Sequence, residues 1–158
     1  MNYEEASNLL IMCSSYDRFQ TFLKIKDELN DKDYWRTLAD AYTGSDNLYH
    51  LKEEVKEAFL EDRSQRECLM NKKELKVYNS LPENITIYRG MTIEELESDD
   101  FGVSWTLSKE RAEFFATTYG RNFSTEGVPK VVHQLEVLKV EILAYFNERK
   151  EQEVVYIR

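Results

Sequence analysis

Three short groups of polar residues in the second half of the chain combine side chains that could act together on a ligand containing phosphate and sugar. They are Tyr88-Arg89-Gly90, Ser104-Trp105-Thr106 and Glu151-Gln152-Glu153. An arginine guanidinium can bind a phosphate through two parallel hydrogen bonds, and a neighbouring glycine lets the backbone approach closely. The first group therefore predicts a phosphate-binding arginine at the end of a strand.

The other two groups each carry polar side chains at i, i+2 spacing. In extended chain this spacing places Ser104 and Thr106 on one face of a strand, with Trp105 on the other. Two hydroxyls on one face can orient a carboxylate and a ribose. The same spacing puts Glu151 and Glu153 on one side of their segment. Taken alone, the first group is typical of an arginine before a turn, the second of a strand with a core tryptophan, and the third of a solvated run of charges. Their order along the chain nevertheless favours a joint site.

The elements that must position these groups change in type near Leu81-Pro82. Before that point, apolar residues recur at helical spacing, as in the stripe Tyr34, Trp35, Leu38, Ala41 and Tyr42, which predicts a buried helix face. Ser64, with Glu67 three residues later, predicts a capping box that opens a further helix toward Tyr78. We expect four or five helices over residues 1–80.

After Pro82 the pattern is typical of short strands. The β-prone run Ile85 to Tyr88 and the segment Gly102 to Thr106 predict two strands. Ser108 is placed to cap a helix, whose inner face is Ala112, Phe115, Ala116 and Tyr119. A polar stretch from Gly120 to Pro129 follows. Val131 to Tyr145 then predicts one long or bent strand, and Val154 to Ile157 a last one.

Composition narrows the class of protein. The 158 residues are 42% hydrophobic, with a net charge of −9 and no basic cluster, which argues against nucleic acid as a partner. No apolar run of about 20 residues predicts a membrane span, no leader pattern predicts secretion, and no His or Cys spacing predicts a metal site. We expect a cytoplasmic protein in which Cys13 and Cys68 are reduced thiols.

The ordered set of Arg89, Ser104 and Glu153, with Thr106 and Glu151 at their flanking positions, resembles the arginine–serine–glutamate class of ADP-ribosyltransferases. This class includes cholera-like and clostridial toxins and several phage enzymes. The resemblance covers residues 85–157, about half of the chain. It implies an α+β fold in which a helical region, 1–80, precedes a small, split, mixed β-sheet core, 81–158, within one compact unit.

The resemblance also implies a role for each group. Arg89, with Tyr88 and Gly90 beside it, would hold the phosphates or ribose of NAD⁺, and Ser104 would position the catalytic Glu153 and seat the nicotinamide ribose. Thr106 would support the strand, and Glu151 would engage the acceptor, which favours arginine. The segment Ala144 to Lys150 would be the recognition turn, with Tyr145 or Phe146 as an exposed aromatic. Phe114, Phe115 and Tyr119 are candidates to stack on nicotinamide.

The implied activity is transfer of ADP-ribose from NAD⁺ to a protein side chain, without a metal, by a phage or bacterial effector in a bacterial or host cytoplasm. Two alternatives stay open. Water as the acceptor would make the protein an NAD⁺ glycohydrolase, which should survive loss of Glu151. A binding or inhibitor protein on the same fold, or a plain helical regulator, would have no NAD⁺ chemistry at all.

Overall fold

The computed structural model of the chain describes residues 1–46, 48–117 and 129–158. Within them, seven α-helices and five strands form two compact units, Met1–Lys73 and Glu74–Arg158. The protein is therefore α+β. The boundary between the units falls in the first turn of the fifth helix, so that most of this helix belongs with the sheet. Among the described residues, no helix is long and apolar enough to cross a membrane.

The first unit is helical. Its α-helices are α1 (Tyr3–Ile11), α2 (Arg18–Ile25), α3 (Asp31–Thr43) and α4 (Lys52–Phe59), joined in part by 3₁₀ turns at Lys26–Glu28, Leu48–Leu51 and Arg66–Leu69. The predicted stripe on α3 is buried along its whole length. Tyr34 lies edge-on to both Phe22 and Trp35, with ring centroids 5.4 and 4.9 Å apart. The prediction of four or five helices before residue 80 is confirmed.

The predicted capping box at Ser64 is wrong. The hydroxyl of Ser64 donates to Asp31 Oδ2 at 2.8 Å, and Gln65 adopts a left-handed conformation with φ of 63°. A short 3₁₀ turn, Arg66–Leu69, follows this residue in place of the predicted helix. The next α-helix, α5 (Lys72–Ser80), begins at Lys72 instead.

The second unit is built on one five-stranded sheet. Its elements are α5, β1 (Asn84–Thr92), α6 (Ile93–Ser98), β2 (Ser104–Thr106), α7 (Lys109–Thr117), β3 (Lys130–Leu138), β4 (Ile142–Phe146) and β5 (Glu153–Tyr156). The strand order is β3-β1-β2-β5-β4, and each described pairing is antiparallel. The expectation of a mixed sheet is therefore wrong for these strands.

Three of the four predicted strands after Pro82 are confirmed, as is the Ser108 cap, whose Oγ accepts from the backbone N–H of Arg111 at 3.3 Å. The fourth is wrong, because Val131 to Tyr145 is not one strand. A 3₁₀ turn at Lys139–Glu141 divides it into β3 and β4, which lie at opposite edges of the sheet. Tyr119 and most of the polar stretch from Gly120 lie outside the described residues.

Candidate active site

The centre of the candidate site is a hydrogen bond between two of the predicted residues. Ser104 Oγ donates to Glu153 Oε2 at 2.6 Å, the distance typical of a hydroxyl bound to a charged carboxylate. Both side chains are partly exposed. They come from neighbouring strands, where Thr106 pairs with Glu153 and Ser104 with Val155. A hydroxyl and a carboxylate that the sequence separates by almost 50 residues therefore meet on one face of the sheet.

Thr106 fixes the chain that leads into β5. Its Oγ1 donates to the backbone oxygen of Glu151 at 2.7 Å and accepts from the N–H of Ser108 at 3.0 Å. The next residue, Leu107, donates its N–H to the backbone oxygen of Gln152 at 3.0 Å. The predicted supporting role of Thr106 thus has a definite form, since it ties the Glu151 backbone to β2. The Glu151 side chain itself is partly exposed.

Arg89 lies on the other face of the sheet. Tyr88 pairs with Thr106, and side chains opposite one another in an antiparallel pair share a face. Tyr88, Ser104, Thr106 and Glu153 therefore point one way, and Arg89 and Trp105 the other. Trp105 is buried, with 2% of its surface exposed. The structure joins the Ser104 and Glu153 side chains to each other, and the Arg89 side chain to the backbone of Ser104.

The guanidinium of Arg89 is already engaged. Its Nε and Nη2 donate to the two carboxylate oxygens of Glu95 at 2.6 and 3.0 Å, and its Nη1 donates to the backbone oxygen of Ser104 at 2.9 Å. Glu95 is buried and also accepts from the Gly102 N–H at 3.2 Å. Arg89 lies within β1, three residues before its end, rather than at a strand end. The arginine thus ties α6 and β2 to β1.

Gly90 has a structural role in this geometry. A Cβ atom at this position would lie 2.7 Å from the backbone oxygen of Ala112 and 3.1 Å from the backbone nitrogen of Ala116. Both atoms belong to α7. The absence of a side chain at Gly90 therefore lets the backbone of α7 pack closely against β1.

The two aromatic residues expected in the recognition turn lie in β4, where Phe146 pairs with Glu153. Tyr145 and Phe146 are buried in β4, with 3% and 4% exposed, so the prediction of an exposed aromatic in the recognition turn is wrong. Phe115 on α7 is partly buried, whereas its neighbour Phe114 is 40% exposed. The turn itself spans residues 147–152, because Ala144 to Phe146 complete β4.

Sequence reasoning missed Glu95, Glu74 and Asn147. For Glu95 a signal existed, because Thr92 stands three residues before it and Thr92 Oγ1 accepts the Glu95 N–H at 3.1 Å as the cap of α6. Glu74 on α5 is buried and accepts from the backbone N–H of Asn147 at 2.9 Å. No local pattern could have linked those two residues. Among the described residues, no group of His, Cys, Asp and Glu is arranged to hold a metal ion.

No family model matches this chain, and no curated protein or solved structure matches it either.

Proposed function

We propose that this chain transfers ADP-ribose from NAD⁺ to a protein side chain, with arginine as the favoured acceptor. The observation that carries the proposal is the 2.6 Å hydrogen bond between Ser104 and Glu153 on a partly exposed face of the sheet. It fits a glutamate whose carboxylate is held in one orientation by a serine. A phage or bacterial effector acting in a cytoplasm is the setting that goes with this activity.

The chemistry requires a fixed negative charge beside the ribose. When the bond between ribose and nicotinamide breaks, its electron pair leaves with nicotinamide and the ribose becomes oxocarbenium-like. If the Glu153 carboxylate accepts a hydrogen bond from the ribose 2′-hydroxyl, it would stabilise this positive charge more in the transition state than in the ground state. An acceptor nitrogen then supplies the electron pair of the new bond and loses a proton, for which Glu151 is the candidate base.

Arg89 takes a different part in this proposal from the one that the resemblance implies. Glu95 neutralises the charge of the Arg89 guanidinium, and the backbone oxygen of Ser104 accepts a hydrogen bond from it. We therefore assign Arg89 to holding β2 rather than to binding phosphate. Tyr88, Gly90 and Thr106 likewise act by shaping the strands, and Phe115 stays a candidate for contact with nicotinamide.

We also propose that the sheet is of the ADP-ribosyltransferase type. The sheet has two parts, β3-β1 and β2-β5-β4. Among the described pairings, a single register pair, Tyr88–Thr106, joins these parts, and this narrow junction supports the proposal. A sheet that is nearly divided at this point is compatible with the split core of that family.

One observation favours a second candidate, a binding protein without NAD⁺ chemistry. Arg89, to which the resemblance assigns the binding of the NAD⁺ phosphates, is neutralised by Glu95 through two hydrogen bonds. A chain that has lost NAD⁺ binding could keep this pair for stability alone.

Release of nicotinamide from NAD⁺ by the purified chain, with and without cell lysate, distinguishes these functions. Transfer predicts release that depends on lysate, with the label of NAD⁺ appearing on a protein. Glu153→Gln should lower the rate by about 10²–10³-fold, by analogy with loss of one preorganised electrostatic partner. Glu136→Gln, which changes an exposed carboxylate on the edge strand β3, is the control and should keep the native rate.

The other outcomes assign the alternatives. Release that is equal without lysate, and that persists in Glu151→Gln, would identify an NAD⁺ glycohydrolase. Absence of both nicotinamide release and NAD⁺ binding would overturn the enzymatic proposal and leave the binding protein.

A further inference from the structure

The turn between β4 and β5 contains one candidate carboxylate of the site and leads directly to the other. Glu151 lies within it and Glu153 follows directly, as the first residue of β5. Two residues of this turn have left-handed backbone conformations, with φ of 56° at Lys150 and 47° at Gln152. Residues with side chains rarely adopt such values unless the surrounding structure holds them there. Something must therefore fix the path of the chain into Glu153.

Asn147 supplies the internal bonds of the turn. Its side-chain Oδ1 accepts from the N–H of Gln152 at 3.0 Å, and its backbone oxygen accepts from the N–H of Lys150 at 3.0 Å. Both donors are the left-handed residues themselves. One asparagine at the start of the turn thus holds the two strained positions that precede Glu153.

Glu74 in turn holds Asn147. Its carboxylate is buried, with 6% exposed, and Oε2 accepts from the Asn147 N–H at 2.9 Å. Burial and then the negative charge of Glu74 raise the pKa of the Tyr145 phenol. A buried carboxylate is costly to desolvate unless it makes hydrogen bonds, and the bond from the Asn147 N–H offsets part of this cost.

The helix that carries Glu74 is anchored to both ends of β4. Tyr78, one turn later on α5, donates its hydroxyl to the backbone oxygen of Ile142 at 3.0 Å. Residues four apart lie on one face of a helix. The same face of α5 therefore contacts Ile142 at the start of β4 and Asn147 just after its end, which makes α5 a brace for the strand that delivers the turn.

We infer that Glu74 and Asn147 are positioning residues that orient Glu153 toward Ser104 through the backbone of the turn. The inference rests on the proposed function for its catalytic meaning, because Glu153 matters as a catalyst only if the chain cleaves NAD⁺. The geometry itself does not depend on NAD⁺. Its test therefore needs one measurement that is independent of activity and one that is not.

The independent measurement is the energetic coupling between Ser104 and Glu153, obtained from urea unfolding of Ser104→Ala, Glu153→Ala and the double variant. In the native background we expect a coupling of about tenfold in the unfolding equilibrium constant, typical of a hydrogen bond to a charged group. In the Asn147→Ala background it should fall to about twofold or less. Asn147→Asp keeps an acceptor oxygen and should keep the coupling.

Glu74 is tested in the same way, with Glu74→Ala as the disruptive variant and Glu74→Gln as the conservative one that retains an acceptor. Should Glu74→Ala not fold, Glu74→Gln and the two Asn147 variants still carry the test. Glu148→Ala removes an exposed carboxylate from the same turn and serves as the control. A coupling as weak in Glu148→Ala as in Asn147→Ala, or undiminished in Asn147→Ala, would overturn the inference.

The activity measurement separates positioning from loss of NAD⁺ binding. A misplaced Glu153 removes an interaction made chiefly in the transition state, so kcat should fall by about tenfold in Asn147→Ala while KM for NAD⁺ changes by less than about twofold. Asn147→Asp should restore kcat. If the native chain releases no nicotinamide, the proposed function fails, and the coupling experiment alone decides the inference. A fall in kcat with unchanged coupling would overturn it.

Discussion

Arg89 and Ser104 are bonded to each other from opposite faces of the sheet. Arg89 Nη1 donates to the backbone oxygen of Ser104 at 2.9 Å, while the Ser104 hydroxyl points away from it and donates to Glu153. The register pair Tyr88–Thr106 joins the same two strands beside this contact. Because β2 is only three residues long, the bond from the guanidinium adds to the pairing with β5 in holding Ser104 in place.

The Arg89–Glu95 pair should be a major source of stability for the sheet unit. The side chains are only 17% and 7% exposed, so Arg89→Ala would leave a buried carboxylate without its cation. We expect a loss of about 3–5 kcal/mol in the free energy of unfolding. Urea unfolding in a Trp35→Phe background, followed by the fluorescence of Trp105, which lies in this unit, measures it.

Two further variants make this prediction specific. Arg89→Met combined with Glu95→Leu removes both charges and should cost less than Arg89→Ala alone, because no unpaired charge remains. Glu97→Gln changes an exposed carboxylate on the same helix, α6, and should leave the midpoint nearly unchanged. A double variant less stable than Arg89→Ala would show that the pair is not the source of the loss.

Gly90→Ala should weaken the packing of α7 on the sheet. The added methyl would lie 2.7 Å from the Ala112 oxygen and 3.1 Å from the Ala116 nitrogen, and neither backbone atom can rotate away. We expect the helix to shift at a cost of about 1–3 kcal/mol. The check is the urea midpoint, read again from Trp105. Ala116→Gly in the same chain should restore little of the loss, since the nearest atom is the Ala112 oxygen; full recovery would contradict this account.

Local sequence patterns were sufficient for the elements whose signals lie within a few residues. The β-prone run before Tyr88 and the Ser108 cap are examples, and both occur where expected. The division of β3 from β4 was missed because Leu138 to Ile142 again alternates apolar and polar residues, although the phase of the alternation shifts after Val137. The 3₁₀ turn there leads the chain from one edge of the sheet to the other without reversing its direction.

The site shows the same limit more sharply. The i, i+2 spacing correctly placed Ser104 and Thr106 on one face, since that depends on a single strand. The face of Arg89 depends instead on the register between β1 and β2, which pairs Tyr88 with Thr106. A shift by one residue would exchange the faces. No pattern within either segment fixes that register, so the sequence could not place Arg89 relative to Glu153.

Glycine at Lys150 should stabilise the sheet unit slightly. The left-handed backbone of this residue, with φ of 56°, costs an L-residue about 1–2 kcal/mol, while glycine adds an entropic cost of about 0.5–1 kcal/mol. Lys150→Gly should therefore raise the free energy of unfolding by about 0.5–1 kcal/mol. Glu148→Gly, at a position without positive φ, should lower it by a similar amount. If the urea midpoints of both variants move in one direction, the conformation of the turn is not responsible.

The helical unit should lose stability in acid through Glu61. Burial would raise the pKa of the Glu61 carboxyl, but hydrogen bonds from Lys26, Arg63 and Tyr34 lower it below the ordinary value. Lys26 Nζ lies 3.1 Å from Glu61 Oε2, and Arg63 Nε 3.1 Å from Oε1. A carboxyl with a lowered pKa contributes stability that is complete above its unfolded-state pKa, near about 4.3, and that is lost as the pH falls through the lower folded-state value.

The chain has two tryptophans. In a Trp105→Phe variant the fluorescence of Trp35 alone therefore reports the unfolding of the helical unit. Urea midpoints between about pH 6 and pH 3 should fall with decreasing pH, and Glu61→Gln should flatten that slope. Asp31 also has a lowered pKa, mainly through its hydrogen bond from Ser64, so some slope will remain. Burial raises the pKa of Asp40, which acts in the opposite sense. An unchanged slope in Glu61→Gln would mean that the bonds from Lys26 and Arg63 do not stabilise the charged form of Glu61.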